Sequence, residues 1–202
     1  MTTQLEVLNH VLTAVGETPV SNVNSNHPTA QSALAKVISV SKQFQGRGWW
    51  FNMEECLVLA HNPFTGEVIV PSTTLKVDPV DTRSALFKRG NKLYDRRKHT
   101  YNIGEDVTVN LWLLLPTEEL PEVAAQYLMA KAAYDFYVAD DGDKDKAQAL
   151  LYECTKTEAA VKAEQLQMSN VNALNRPTAL HLRSSFKQFG GSYNPNLPGG
   201  GH

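Results

Sequence analysis

Between Phe44 and Glu55 the chain reads Phe-Gln-Gly-Arg-Gly-Trp-Trp-Phe-Asn-Met-Glu-Glu, and its hydrophobic repeat changes there from the helical to the extended kind. Gly46 and Gly48 flank Arg47 and permit a sharp exit from a helix, because glycine tolerates left-handed backbone angles. The consecutive aromatics Trp49, Trp50 and Phe51 then demand a large buried apolar area at the same point. A chain punctuated in this way carries two architectures and packs them against each other at the joint. In an extended geometry Trp49 and Phe51 would share one strand face and Trp50 would take the other. Gly46, Arg47, Gly48, Trp49 and Phe51 are therefore read as a structural junction with no catalytic role.

The flanking segments are helical. Leu5, Leu8, Leu12 and Val15 predict a first helix over 3–15, ended by Gly16 and Pro19. Ala30, Ala33, Leu34, Val37, Ile38 and Phe44 predict a second over 28–45, with Pro28 tolerated in its first turn. Val123, Tyr127, Ala130, Tyr134 and Tyr137 place one apolar face on a third helix over 121–139. Asp140-Asp141-Gly142-Asp143 reads as a turn that caps a fourth helix over 144–168, about 37 Å long. Ala147, Leu151, Cys154, Val161 and Met168 fall near one stripe of it. Neither pair of helices buries its stripe alone, so the two pairs are expected to meet in a bundle.

Between the pairs the chain is predicted extended at 49–60, 67–70, 75–77, 85–88, 92–95 and 106–115. Asn62-Pro63, Thr65-Gly66, Asp78-Pro79, Gly90-Asn91 and Gly104 separate these runs. Strands so closely spaced imply antiparallel meanders. Val107, Val109 and Leu111 alternate with Thr108 and Asn110, which predicts one buried and one wet face. The expected architecture is α+β. It comprises an antiparallel four-helix bundle from 1–48 and 116–172, an inserted antiparallel β lobe over 49–115, and an extended C-terminal tail over 173–202.

Charge sets the tail apart. Residues 165–202 hold Arg176, Arg183 and Lys187 with no acid, a charge of +3, while the first 164 residues hold 16 basic and 21 acidic side chains, a charge of −5. The tail is rich in Pro and Gly yet carries Leu174, Leu180, Leu182, Phe186, Phe189 and Tyr193, which a solvated linker lacks. Such a segment is expected to grip something outside its own bundle.

Other patterns exclude function classes. Cys56 and Cys154 sit in apolar stretches and fit reduced thiols better than a disulfide framework. No window offers the roughly eighteen apolar residues of a membrane helix, so no membrane anchor is expected, and no signal-peptide pattern is visible at the N-terminus. The six histidines, His10, His27, His61, His99, His181 and His202, form no zinc-type pair. Asp140, Asp141, Asp143 and Asp145 lack the register and terminal Glu of a calcium loop. Phosphate loops, nucleophile elbows and dinucleotide fingerprints are missing. No catalytic residue, metal or cofactor is expected.

Three stretches carry a family resemblance. Ala14-Val15-Gly16-Glu17-Thr18-Pro19-Val20, the junction from Phe44 to Glu55 with its Gln, Arg-Gly-Trp, Phe-Asn and Glu, and Lys92-Leu93-Tyr94-Asp95 resemble the tail tubular protein A family of short-tailed bacteriophages. The resemblance spans about residues 4–168. The junction is its most specific part, and no motif beyond Met168 aligns. It implies a non-enzymatic structural virion protein, an adaptor or gatekeeper in the head-tail connector, assembled in the host cytoplasm and resident in the virion tail. Such adaptors resemble closed rings of about twelve copies beneath the portal protein. The lumen passes double-stranded DNA without sequence recognition, the lower face seats a nozzle protein like tail tubular protein B, and the β lobe meets tail fibres. A net acidic ring suits DNA that must slide, since each phosphate contact strengthens binding.

Arg83, Lys88, Arg89, Lys92, Arg96, Arg97 and Lys98 cluster in the β-rich middle, opposed nearby by Asp95. They could touch DNA, seat an acidic partner face, or form a solvated hairpin. Taken with the resemblance, they are the expected nozzle or fibre contacts. Arg176, Leu180, Leu182, Arg183, Phe186, Lys187, Phe189 and Tyr193 are the expected contacts to the portal or a neighbouring subunit. The alternative function is a tail-associated glycan hydrolase acting on host surface polysaccharide, which needs two carboxylates about 5–10 Å apart. Its candidates are Glu54, Glu55, Glu67, Asp78 and Asp81. Adjacent Glu54 and Glu55 should point to opposite faces of a strand, and Asp78 and Asp81 flank Pro79 where carboxylates usually form turns.

Overall fold

The computed structural model describes residues 1–81, 85–139 and 143–174, with side chains as far as Met168. Met1–Ala163 forms one compact unit, and a second begins at Glu164. Helix α1 (Gln4–Ala14) opens on a reciprocal cap. Thr3 Oγ1 accepts from the Glu6 N–H at 3.2 Å, and Glu6 Oε2 accepts from the Thr3 N–H at 2.7 Å. The helix closes where Gly16, at φ +84°, sends the chain back, so that the Glu17 N–H reaches the Leu12 carbonyl at 2.9 Å. Helix α2 (Pro28–Gln45) starts on its proline and buries Ala30, Ala33, Val37, Val40 and Phe44. Their spacing of three and four residues makes one face.

After α2 the junction departs from the extended run expected over 49–60. Trp50–Asn52 form a 3-10 turn, and strand β1 (Met53–Leu59) begins only after it. Trp49 and Phe51 therefore do not share a strand face. Their rings stack across the turn at 6.4 Å and 4° between planes, with Trp50 edge-on to both. Strands β2 (Thr74–Pro79), β3 (Leu86–Arg89), β4 (Lys92–Asp95) and β5 (Val107–Leu113) follow, all paired antiparallel. The order in the larger sheet is β1-β5-β2, so β5 runs between two strands that precede it, not in a meander. The run expected over 67–70 forms isolated bridges instead, Val68 to His61 and Ile69 to Lys92 among them. Hairpin β3–β4 turns at Gly90, φ +64°, the first loop position that a tight hairpin reserves for glycine. Val107, Val109 and Leu111 are buried as the alternation requires. They join Leu59, Val68, Val70 and Leu93 in a β core.

Helix α3 (Glu122–Ala139) packs on both α1 and α2. It buries Ala124, Ala125, Tyr127, Leu128, Ala130, Ala132 and Ala133, a wider face than the stripe through Tyr134 and Tyr137, which are only half-buried. A helix flanked on two sides is apolar nearly all round, and its alanines let the neighbours approach closely.

The expected four-helix bundle does not form. The packed helix pairs are α1–α2, α1–α3 and α2–α3, while α4 (Lys144–Leu174) meets that helical core through Leu150, Cys154 and Val161. The reason lies in its sequence. Leu151 and Met168, assigned to the buried stripe, are exposed. Most of the remaining apolar positions are alanines, which bury too little area to fill a fourth quadrant. The α+β class holds. Asp143 caps α4 as expected, its Oδ1 accepting from the Asp145 N–H at 2.7 Å.

Candidate functional site

Two features stand out: the junction and the basic hairpin. At the junction two buried amides carry the joint. Asn52 is 2% exposed; its Oδ1 accepts from the Trp49 N–H at 2.9 Å, and its Nδ2 donates to the carbonyls of Gln45 at 3.0 Å and Leu113 at 2.9 Å. Gln45, fully buried, answers from the end of α2. Its Nε2 donates to Ser41 Oγ and the Leu115 carbonyl, and its Oε1 accepts from the Leu115 N–H at 2.8 Å. The two side chains thus bind the end of α2 to the stretch where β5 leaves the sheet. Fully partnered buried amides hold one geometry, because every alternative leaves a polar group unmatched.

The glycines are fixed by close approach. Gly48 sits at φ +83°, and a Cβ there would lie 2.6 Å from Trp112 Nε1. Gly46 caps the end of α2 with helical backbone angles, but a Cβ on it would lie 2.9 Å from the Lys42 carbonyl. Trp49 Nε1 donates to the Phe44 carbonyl at 2.8 Å. Arg47 reaches Glu158 on α4 at 3.1 Å. Hydrogen bonding to Lys162, then to Arg47, holds the Glu158 carboxyl below the ordinary glutamate range. The sequence placed the glycines, Arg47 and the aromatics in the joint but offered Gln45 and Asn52 only as letters of the family motif, with no structural role. The available signal was an amide on either side of a Gly/aromatic run that has to be buried.

The basic cluster separates into two groups. Lys88 donates to the Thr74 carbonyl, Lys92 pairs with Glu67 at 2.7 Å, and the Arg89 guanidinium lies 4.0 Å from the Tyr94 ring centroid. Lys88 and Lys92 are half-buried and brace the lobe, while Arg89 is exposed over the Tyr94 ring. Arg96, Arg97 and Lys98 are exposed in the turn after β4. Asp95 shapes that turn, its Oδ1 accepting from the Arg97 N–H at 2.7 Å and the Lys98 N–H at 3.0 Å. Those hydrogen bonds, Lys98 foremost, hold its carboxyl below the usual range. Asp95 and Thr100 exchange backbone hydrogen bonds at 2.9 and 3.3 Å, and His99 completes the turn at φ +54°. Asp95 therefore serves the backbone. Among the described residues, Arg96, Arg97 and Lys98 make no ion pair within 4.0 Å. Arg83 and the tail set Arg176, Leu180, Leu182, Arg183, Phe186, Lys187, Phe189 and Tyr193 lie outside the described residues.

Glu54, Glu55, Asp78 and Asp81 are exposed, and Glu67 is engaged by Lys92. A bulge interrupts β1 between Glu54 and Leu57, where Cys56 takes φ +55° and its N–H reaches Asn110 Oδ1 at 3.0 Å. Among the described residues no three His, Cys, Asp or Glu side chains form a metal-holding group, and no helix is long and apolar enough to cross a membrane.

A family model described as tail tubular protein matches residues 5–177. Tail tubular protein A of Klebsiella phage KP34 is 26% identical over 180 residues, covering 89% of this chain and 96% of that protein. The junction, with its glycines, tryptophans and buried amides, lies inside both matched regions. The chain therefore belongs to the tail tubular protein family and is a structural component of the phage tail.

Proposed function

We propose that the chain is the adaptor subunit between the phage portal and the tail nozzle, assembled as a closed ring of about twelve copies whose lumen passes double-stranded DNA. One observation carries the reading. A helical core and a β core are packed separately and joined by the Gln45–Asn52 clamp, so a single subunit presents two differently built surfaces. A part seated between two unlike partners needs that arrangement. The exposed Arg96, Arg97 and Lys98 offer the β lobe's contact to an acidic face of the nozzle or a fibre. The acid-free tail over 173–202 is the proposed grip on the portal or on a neighbouring subunit. Family membership supports a structural rather than a catalytic role, and we assign none of the carboxylates to chemistry.

The test is to mix the purified chain with portal rings and image the product by electron microscopy. Closed rings docked on one face of the portal are the expected result. A chain that never associates with the portal would overturn the reading.

A further inference from the structure

The turn at 61–66 is closed by several hydrogen bonds. Asn62 Oδ1 accepts from the N–H groups of Phe64 at 2.9 Å and Thr65 at 3.2 Å, and the Gly66 N–H returns to the Asn62 carbonyl at 2.7 Å. The Gly66 carbonyl accepts from Ile103 at 2.8 Å and Gly104 at 3.0 Å. Gly66 stands at φ +68°, where a Cβ would lie 2.0 Å from Asn102 Oδ1. On this fixed turn Phe64 is 96% exposed. An aromatic ring presented on a rigid backbone loses little freedom on binding and is the kind of side chain that dominates interfaces. The apex is uncharged: His61 is already paired with Asp106 at 2.7 Å, and no charged residue lies from Asn62 to Gly66.

The same chain carries an open apolar cavity of about 340 Å³, where α2 meets the segment between β5 and α3. Val37, Ile38, Leu114, Leu115 and Pro116 line it, and Ile38 is 40% exposed. Glu118 is its one charged lining residue, and Glu118 Oε1 already accepts from the Gln4 N–H at 2.9 Å. An uncharged ring can enter without stranding a charge.

We propose that Phe64 of one copy seats in this cavity of the next. The proposal rests on the ring reading above and names the contact that builds it. Knob and hole are different surfaces of one chain, so the contact is heterologous: it repeats from copy to copy and closes into a ring when the rotation permits.

Phage particles carrying Phe64→Cys and Ile38→Cys on a Cys56→Ser background would be treated with a short bismaleimide. A ladder of covalent multimers of this chain is expected, and neither cysteine alone should give one. A lysine-reactive cross-linker on unmodified particles reports separately whether copies adjoin. Lysine-linked multimers without the cysteine ladder would overturn this contact and leave the ring standing. No multimers with either reagent would overturn the ring and the contact together. A cysteine link from position 64 to a different tail protein would also overturn it, assigning the knob to that partner. If the double variant yields no particles, Phe64→Ala and Phe64→Tyr decide. Phe64→Ala should lower tailed-particle yield at least about tenfold while the purified chain melts unchanged, and Phe64→Tyr should retain yield. Wild-type yield from Phe64→Ala would refute the contact.

Discussion

Replacing Asn52 by alanine tests whether the junction is a clamp or only a bend. The change removes one acceptor and two donated hydrogen bonds, leaving the Trp49 N–H and the carbonyls of Gln45 and Leu113 without that partner. A buried donor left unmatched costs about 1–3 kcal/mol, and each carbonyl costs less because it keeps a second lone pair. The sum is about 3 kcal/mol. At about 2–4 °C per kcal/mol for a chain of this size, the melting temperature should fall by about 6–12 °C. The assay is urea unfolding followed by tryptophan fluorescence. Trp49 and Trp50 belong to the junction and Trp112 lies against Gly48, so the probe reports this region, and circular dichroism reports the helices independently. An unchanged slope against urea would show that the same surface is exposed on unfolding. Asn52→Asp is the sharper control, because it keeps the acceptor for Trp49 but sets a carboxylate against two carbonyl oxygens; it should be at least as damaging. A loss under about 1 kcal/mol for Asn52→Ala, or wild-type stability for Asn52→Asp, would refute the clamp.

Gly48→Ala should destabilise by more than about 1 kcal/mol, since it meets both a left-handed backbone and the Trp112 ring; equal melting of the two proteins would contradict this. Burial raises the Cys154 thiol above its ordinary range while Cys56 is exposed, so a thiol reagent at neutral pH should label Cys56 promptly and Cys154 only on unfolding. The Glu158 carboxyl is depressed below 4.5, so its contribution is complete above that value and is lost as pH falls through the lower folded value. Arg47→Ala should flatten the stability curve in that acid window, lower stability by about 1 kcal/mol or less from the window up through neutrality, and change nothing below it. Reversing Arg96, Arg97 and Lys98 to glutamate should leave melting near wild type and abolish salt-sensitive binding to the nozzle protein, whereas Lys92→Ala should act on stability through Glu67.

The parts of the fold legible in the sequence were those set by local rules. Gly16 and Pro28 mark helix ends through left-handed and fixed backbone angles, and they mark them here. The Val107, Val109, Leu111 alternation gave the buried face of β5, because a half-buried strand has no other way to sort its side chains. The misreadings share a cause: they depend on what lies opposite. Helical periodicity in α4 states that a face exists, not that another helix will cover it, and Leu151 remained exposed. The aromatic run at Trp49 looked extended by composition, yet the hydrogen bond from the Trp49 N–H to Asn52 Oδ1 folds it into a turn. Among the basic residues, sequence counted charges but could not divide them. Lys88 and Lys92 turn inward to Thr74 and Glu67 because of the register of β3 and β4, which spacing alone does not fix.

The most direct test of the adaptor account is a cryo-electron microscopy reconstruction of the assembled phage tail at side-chain resolution. The account predicts a closed ring of this chain between portal and nozzle, with the turn carrying Arg96, Arg97 and Lys98 against the nozzle or a fibre and DNA passing through the lumen. A chain found as isolated copies on the outside of the tail, touching neither portal nor nozzle, would contradict it.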